Sequence, residues 1–319
     1  MFYNSKIILP KRRILRNVVT SLSLQGKANI LMVIVTMFWG LSYTFMVMGL
    51  EVLEAYNVVA LRCLIAFIIA GLIFLPKMLR VNKKTIFYAS IQGAILFIVF
   101  ALSLFGLKTT SAGNAGFILS LTVVLVPIFT SFLEKRLPSR AVSFAIVATM
   151  IGITVLTFKE SLSFQTGDIL VAIAAVCYSV YLILNSTFTK DVESISYGVY
   201  QLGVAGVLGA IFTLVYETPQ LPATSVGWAA VLGLAIICTA FCFIAQAVVQ
   251  QYTSPTHTGL IFSLEPIFAA IFALVFLGEG LTTQLLIGGA FILVGNFVAQ
   301  MEQFATAKKV APIESQSSI

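Results

Sequence analysis

The chain has 319 residues, of which 59% are hydrophobic and only 10% are charged, and its mean hydropathy is +1.03. In water-soluble domains about a quarter of the residues are charged. The composition therefore excludes an ordinary cytosolic protein and predicts an all-α polytopic membrane protein. The apolar runs are continuous rather than alternating, which excludes an outer-membrane barrel.

Ten apolar stretches approach the length that crosses a hydrocarbon core of about 30 Å at about 1.5 Å per residue. They cover 28–48, 57–76, 86–106, 111–133, 141–158, 167–188, 195–216, 227–249, 255–277 and 282–301. The predicted organisation is a basic segment over 1–27, five helices over 28–158, five more over 167–301 and a polar tail over 302–319.

Lysine and arginine fall almost entirely on one side of this ten-span arrangement. Sixteen of the 19 lie in the termini and in alternate loops, Lys108 and Lys159 lie on the other side, and Arg62 lies within a span. Because cationic loops remain in the cytoplasm, we expect both termini to be cytoplasmic. The net charge of +7 is then a topology signal and not a sign of nucleic-acid binding. The lack of a cleavable leader or organelle signal favours a bacterial plasma membrane.

The two halves of the chain resemble each other. The aligned pairs are Trp39 with Tyr178, Arg62 with Gln201, Ser120-Leu121 with Ser263-Leu264, and Pro127 with Pro266. Chance similarity between apolar segments is the alternative explanation. If the repeat is real, its unit has five helices, and an odd number places the second copy upside down. Two inverted five-helix repeats are typical of secondary transporters that alternate between two open states.

Two charged residues lie inside predicted spans. Arg62 is either a snorkelling arginine or a cation that faces a cavity and holds a substrate carboxylate. Glu265, near the middle of the ninth span, is costly to ionise in lipid and is therefore protonated, paired or hydrated. It is a candidate proton-coupling group, and a structural carboxyl that bonds a neighbouring helix is the alternative.

Uncharged residues in the spans give further candidates. Trp39, Tyr43 and Tyr178 line a substrate cavity or simply pack. The polar candidates are Asn114, Gln201 and Gln246, for which hydrogen bonding between helices is the competing explanation. Pro127 and Pro266 each free a backbone carbonyl and are candidate hinges, with fixed kinks as the alternative.

Four short motifs carry a family resemblance. They are Met37-Phe38-Trp39-Gly40, Ala60-Leu61-Arg62, Leu264-Glu265-Pro266 and Leu277-Gly278-Glu279. With the repeat, they resemble the EamA-type branch of the drug/metabolite transporter superfamily over residues 28–301. The resemblance implies export of small metabolites or toxic compounds. It also implies a cavity lined by the first four helices of each half, with the fifth and tenth helices as scaffold or dimer contact. One departure is Leu125-Val126-Pro127, which has no acid, so the resemblance does not imply a pair of carboxylates.

The chain contains no GxxxxGK[ST] and no HExxH sequence, and it has one histidine. We therefore expect neither ATP hydrolysis by a P-loop nor metalloprotease chemistry, and no metal or cofactor. The expected function is a secondary exporter, not an enzyme, whose partners are a small-molecule substrate, the lipid bilayer and a second copy bound through the tenth helix. The alternatives are a membrane-embedded enzyme or lipid-handling protein that uses Glu265, or a channel.

Overall fold

The structure is a computed structural model that describes residues 24–133, 135, 137, 139–157, 165–249 and 261–310. The part of the chain that it describes is helical and contains no strand. The long helices are α1 (Leu24–Leu50), α2 (Ala55–Ile73), α3 (Lys83–Leu107), α4 (Ala112–Leu133), α5 (Arg140–Thr157), α6 (Thr166–Phe188), α7 (Ser194–Tyr216), α8 (Ser225–Val249), α9 (Glu265–Leu277) and α10 (Thr283–Val310). A short helix, Leu75–Met78, follows α2. The first six residues predicted for the ninth span, 255–260, lie outside the described residues.

Seven of these helices are long and apolar enough to cross a membrane, namely α1, α2, α3, α4, α6, α7 and α8. Three further apolar segments are shorter: Arg140–Gly152, Glu265–Leu277 and Thr283–Val298. Many large apolar side chains on the outer faces are exposed, such as Leu72 at 69% and Leu214 at 71%. Such a surface needs lipid as its solvent, so the chain is a multi-pass membrane protein.

The helix ends meet in two groups of opposite charge. At one end, which we call the acidic end, lie Glu54, Asp168, Glu217 and Glu279. At the other, which we call the basic end, lie Lys77, Arg80, Lys83, Lys84 and Lys190. Two ion pairs cross the basic end, from Lys77 to Glu193 at 2.8 Å and from Lys84 to Asp191 at 2.9 Å.

Two glutamates at the acidic end cap helices that are distant in sequence. The Glu279 carboxylate, just after α9, accepts hydrogen bonds from the N–H groups of Ala112 at 2.8 Å and Gly113 at 3.1 Å, in the first turn of α4. Glu217, just after α7, accepts from the N–H groups of Tyr56 and Asn57 in α2, both at 2.9 Å. The first turn of a helix has unsatisfied donors and a positive dipole, so each carboxylate ties two helices together.

The fourth span, predicted to be continuous, is interrupted at Ser120–Leu121. A turn at Ser263–Leu264 likewise precedes α9. These are the Ser-Leu pairs that align between the two halves. Pro127 lies inside the second part of α4, and Pro266 lies in the first turn of α9, where its missing N–H costs no helical hydrogen bond. Whether the prolines act as hinges stays a prediction.

Glycines set the closest helix contacts. A Cβ added to Gly209 of α7 would lie 2.8 Å from the backbone nitrogen of Ala60 in α2. One added to Gly152 of α5 would lie 2.6 Å from the Gly288 carbonyl oxygen in α10. The small-residue face of α10 is thus used inside the chain, against α5. The opposite face exposes Leu286, Phe291 and Phe297. A dimer contact through α10, as predicted from the sequence, would therefore use this exposed face.

Candidate functional site

A small cavity, which we call the central cavity, lies in the middle of the bundle and has a volume of about 40 Å³. That volume holds little more than a water molecule. Helices α1, α2, α3, α4, α6, α8 and α9 all contribute to its wall. The lining residues are Trp39, Ser42, Tyr43, Met46, Arg62, Val99, Phe100, Ser103, Leu119, Tyr178, Phe243 and Glu265.

Arg62 lies against this cavity and not at the lipid surface, since only 1% of the residue is exposed. Its Nε donates to Thr239 Oγ1 at 3.1 Å, and its Cζ lies 3.9 Å from the centroid of the Phe100 ring. The Nη1 atom is buried and has no hydrogen-bond partner among the described residues. One ring and one hydroxyl therefore hold a guanidinium whose remaining donors can bind a ligand.

The local shape of α8 brings Thr239 to Arg62. Gly233–Phe241 is π-helical, a widened turn that displaces side chains from the usual register and often occurs at functional sites. In the same stretch the Cys238 carbonyl accepts a hydrogen bond from Trp39 Nε1 at 3.2 Å. The π-helical stretch thereby fixes both a charged and an aromatic side chain of the cavity wall.

Glu265 is the first residue of α9 and is 9% exposed. Its Oε1 accepts a hydrogen bond from the Tyr43 hydroxyl at 3.0 Å. Tyr43 lies close enough to both Arg62 and Glu265 to interact electrostatically with each. No ion pair joins Arg62 to Glu265 within the described ranges. The cavity wall therefore offers a guanidinium and a carboxyl group that do not neutralise each other directly.

Half of the other residues that line the central cavity are aromatic. The Trp39 ring centroid lies 5.1 Å from that of Phe262, 5.3 Å from that of Phe243 and 6.4 Å from that of Tyr178. Rings at these separations form favourable edge and tilted contacts. Such a wall suits an apolar or aromatic part of a ligand beside the two polar groups.

Three of the polar residues predicted for the site lie elsewhere. Gln201 and Gln246 are fully buried but do not line the central cavity. Asn114 lies at the acidic end, beside a second cavity of about 420 Å³ that Ser111 and Glu279 also line. The structure therefore brings Arg62, Glu265, Trp39, Tyr43 and Tyr178 together around the central cavity, while the three amides lie in other surroundings.

Sequence reasoning missed Thr239, Phe100 and Phe243. A single threonine in an apolar span does not indicate a functional site. The two phenylalanines cannot be distinguished by sequence from the other phenylalanines, of which the chain has 26 in all. The one clue in the sequence was that a buried arginine needs partners, which predicts that a hydroxyl and a ring exist but not where they lie along the chain.

Comparison with known proteins identifies the family to which the chain belongs. The model of the EamA-like transporter family matches the chain twice, over residues 26–158 and 165–300. A protein of Archaeoglobus fulgidus named only as an uncharacterized transporter is 25% identical over 274 residues, which is 86% of each chain. The uncharacterized transporter YyaM of Bacillus subtilis is 24% identical over 70% of this chain and 75% of its own.

One solved crystal structure, described only as that of a protein, has a TM-score of 0.66 and 20% sequence identity, and the match covers 86% of this chain and 96% of that one. At this identity the likeness shows the fold alone. The two family matches together span most of the sequence, and they fall on the halves that contain the corresponding Ser-Leu breaks. The chain belongs to the EamA-like transporter family.

Proposed function

We propose that the protein is a secondary active exporter of small zwitterionic metabolites, such as amino acids, related compounds or drugs, and that it works by alternating access. The observation that carries the proposal is the central cavity, where Arg62 with its unpartnered Nη1 and Glu265 share one small, aromatic-lined space. A guanidinium binds a carboxylate, and a carboxylate binds an ammonium group. On this proposal the central cavity, which has a volume of about 40 Å³, widens to hold a substrate.

The proposed architecture is ten membrane helices in two inverted five-helix halves. Its support is the pair of corresponding breaks, at Ser120–Leu121 and Ser263–Leu264, and the double match to one family model. In this arrangement α5 and α10 form a separate scaffold pair that does not line the central cavity. Inverted repeats give two related conformations, one open to each side.

The proposed orientation places the basic end in the cytoplasm of a bacterial cell, and with it both termini. Its support is the distribution of lysine and arginine, which collect in cytoplasmic loops. Export then moves substrate from the basic end to the acidic end. A homodimer through the exposed face of α10 is part of the same proposal.

Counterflow in proteoliposomes tests the transport function. Vesicles loaded with unlabelled phenylalanine receive trace radiolabelled phenylalanine, and phenethylamine and phenylpropionate compete as analogues that each lack one charged group. We expect saturable counterflow and competition at least about tenfold weaker from either analogue, because a hydrogen bond to a charged group contributes about 1.5 kcal/mol or more and about 1.4 kcal/mol corresponds to a factor of ten. Threonine and alanine serve as further zwitterionic probes. A flux that never saturates would indicate a channel, and absence of counterflow with all three amino acids would contradict the proposal.

A further inference from the structure

The second cavity, which we call the acidic-end cavity, lies outside the proposed substrate site. Its volume of about 420 Å³ falls within the range of about 300–1,000 Å³ that is usual for small-molecule sites. Polar side chains make up much of its wall, namely Ser111, Asn114, Gln165, Glu279, Thr282 and Gln284. Ser111, Thr282 and Gln284 are exposed and the other three are half-buried, so a ligand can enter from water.

The Leu277-Gly278-Glu279 sequence places a carboxylate in the wall of this cavity. Gly278 has a backbone φ of 67°, a left-handed conformation that glycine adopts without strain and that ends α9. The chain then turns, and the Glu279 oxygens accept hydrogen bonds from the N–H groups of Ala112 and Gly113. A carboxylate has about four lone pairs, so these two bonds leave acceptor capacity on Glu279 for a ligand.

Helices α4, α6 and α10 all begin at the acidic-end cavity. At the start of α4, Ser111 Oγ accepts a hydrogen bond from the Asn114 N–H at 3.1 Å. At the start of α10, Thr282 Oγ1 accepts one from the Leu285 N–H at 3.1 Å. Each hydroxyl acts here as an acceptor, so its own hydrogen can be donated to a ligand. The wall therefore offers hydroxyl and amide groups beside the carboxylate.

The charges around the acidic-end cavity favour a cation. Each of the three helix starts contributes about half a positive elementary charge. Two full negative charges oppose them, on Glu279 in the wall and on Asp168 in the first turn of α6, which accepts a hydrogen bond from Thr110. No lysine or arginine lines the cavity within the described ranges, and the nearby Lys108 pairs with Glu54 at 2.6 Å. The carboxylates therefore outweigh the helix starts.

The chain segments that line the acidic-end cavity also reach the central cavity. On α3, Ser103 lines the central cavity, and Thr109, just after the helix, lines the acidic-end cavity. On α4, Leu119 and Asn114 have the corresponding positions. At about 1.5 Å per residue the two levels are about 8–9 Å apart along the helix axes. The acidic-end cavity is thus a ligand-sized space one level nearer the acidic end.

We propose that the acidic-end cavity is a second binding site, which holds the ammonium group of a small organic amine or zwitterion against Glu279. The amides of Asn114 and Gln284 and the hydroxyl groups of the wall bind the polar remainder of the ligand. The further assignment, that this ligand is the substrate after it has left the central cavity, rests on the proposed function. In that role the site holds the departing molecule before it diffuses into water.

Protection of a thiol from labelling measures this binding without transport. In detergent, Gly280→Cys places a thiol in the cavity wall, and Leu221→Cys places one at an exposed position of the same end outside the cavity. Wild-type protein gives the background of its four native cysteines. We expect phenethylamine at about four times its dissociation constant to slow maleimide labelling of Gly280→Cys about fivefold, because about one fifth of the sites are then free. Phenylpropionate should slow it less than about twofold, and Leu221→Cys should respond to neither. Equal protection by both compounds, or by neither, would overturn the cationic site.

Substitutions of Asn114 in the Gly280→Cys protein test the charge and the polarity of the site. Asn114→Asp adds a carboxylate of nearly the same shape, and we expect the phenethylamine concentration that halves labelling to fall about threefold, as for a partly exposed ionic contact. Asn114→Leu should raise it about threefold, because the amide is lost. Glu279→Gln should remove the protection. If Glu279→Gln fails to fold because the cap on α4 is weakened, the two Asn114 variants decide. The same half-protecting concentration in both Asn114 variants would overturn the proposal.

Phenylalanine protection in Arg62→Lys separates the two cavities, because Arg62 lines only the central one. We expect the phenylalanine concentration that halves Gly280→Cys labelling to change less than about twofold in Arg62→Lys, even where the half-saturating concentration in counterflow rises about tenfold. A matching tenfold rise in both would place the bound molecule in the central cavity and overturn the second site. Counterflow without protection would overturn the second site and leave the transport function intact. Protection without counterflow would support the site and refute the transport function with its release role.

Discussion

A buried arginine usually pairs with a carboxylate, but no carboxylate among the described residues pairs with Arg62. Arg62 has a phenyl ring at 3.9 Å and a threonine hydroxyl at 3.1 Å instead. Burying an ion costs several kcal/mol, and a cation–π contact returns about 2 kcal/mol. The charge of Arg62 is therefore incompletely stabilised by its described neighbours, and we expect an anionic ligand group in the central cavity to supply the missing interaction.

Replacing Arg62 with lysine tests the geometry of this contact. Lysine keeps the charge but loses the Nε–Thr239 hydrogen bond and the planar fork. We expect Arg62→Lys to raise the half-saturating phenylalanine concentration in counterflow about tenfold or more with a smaller change in maximal rate. Thr239→Val, which removes only the acceptor, is expected to shift the same parameter less. An unchanged half-saturating concentration in both variants would exclude Arg62 from binding.

Replacing Glu265 with glutamine tests the hypothesis that this carboxyl group carries the coupling proton. The amide retains an acceptor for the Tyr43 hydroxyl but cannot gain or lose a proton. We expect Glu265→Gln to raise the half-saturating phenylalanine concentration about tenfold, because the ionic contact with the ammonium group is lost, and to remove the dependence of counterflow on pH, measured at saturating phenylalanine between about pH 5.5 and 8.5. Tyr43→Phe is the companion variant, because it removes the hydrogen bond and leaves the carboxyl group. Unchanged pH dependence in Glu265→Gln would exclude the proton role.

At the scale of elements, irregular helices form the site. The π-helical stretch of α8 positions Thr239 and the Cys238 carbonyl, and the turn at Ser263–Leu264 lets α9 begin at Glu265. Regular helices are predictable from apolar runs, and all ten predicted spans overlap helices in the described residues. These irregular turns depend on how several helices pack together, so no local sequence pattern predicts them. This is why the sequence singles out Arg62 and Glu265 as charged residues within spans but does not indicate Thr239 as a partner of Arg62.

The close contact between α2 and α7 gives a test of helix packing. A methyl group on Gly209 would lie 2.8 Å from the Ala60 nitrogen, whereas one on Gly71 has nothing within 4 Å. Overpacking costs about 1–3 kcal/mol, while replacing a helical glycine with alanine gains about 1 kcal/mol. We expect Gly209→Ala to lower the thermal midpoint of the protein in detergent, measured by loss of monodisperse protein on heating. The matched control Gly71→Ala should leave it equal or higher. Equal midpoints in both variants would show that the helices separate easily.

At the scale of the whole molecule, charged side chains hold both ends of the bundle in the same two ways. Exposed lysines pair with acids, Lys77 with Glu193 at the basic end and Lys108 with Glu54 at the acidic end. Glutamates also bind backbone donors at both ends, as Glu193 does at the basic end and Glu217 and Glu279 do at the acidic end. The sequence predicted which residues lie at each end, because lysine and arginine counts report topology. It did not predict which partner each glutamate takes, since that depends on contacts between helices far apart in sequence.

Cysteine labelling in intact cells tests the orientation. Gly280→Cys places a thiol at the acidic end, where an added Cβ meets nothing within 4 Å. Lys83→Cys places one at the basic end, on an exposed residue. With a membrane-impermeant maleimide we expect Gly280→Cys to react in whole cells and Lys83→Cys to react only after the cells are opened. The reverse pattern would invert the proposed direction of transport.

The caps formed by Glu217 and Glu279 also constrain how the acidic end can open. Moving either carboxylate away leaves two backbone N–H groups of α2 or α4 without an acceptor. In water these N–H groups bond to water instead, so moving the carboxylate away costs little free energy. In hydrocarbon each unsatisfied N–H group costs several kcal/mol. Opening is therefore inexpensive only where water can follow the helices apart. If the proposed export is correct, we expect the substrate to leave this end into the aqueous phase and not sideways into the lipid.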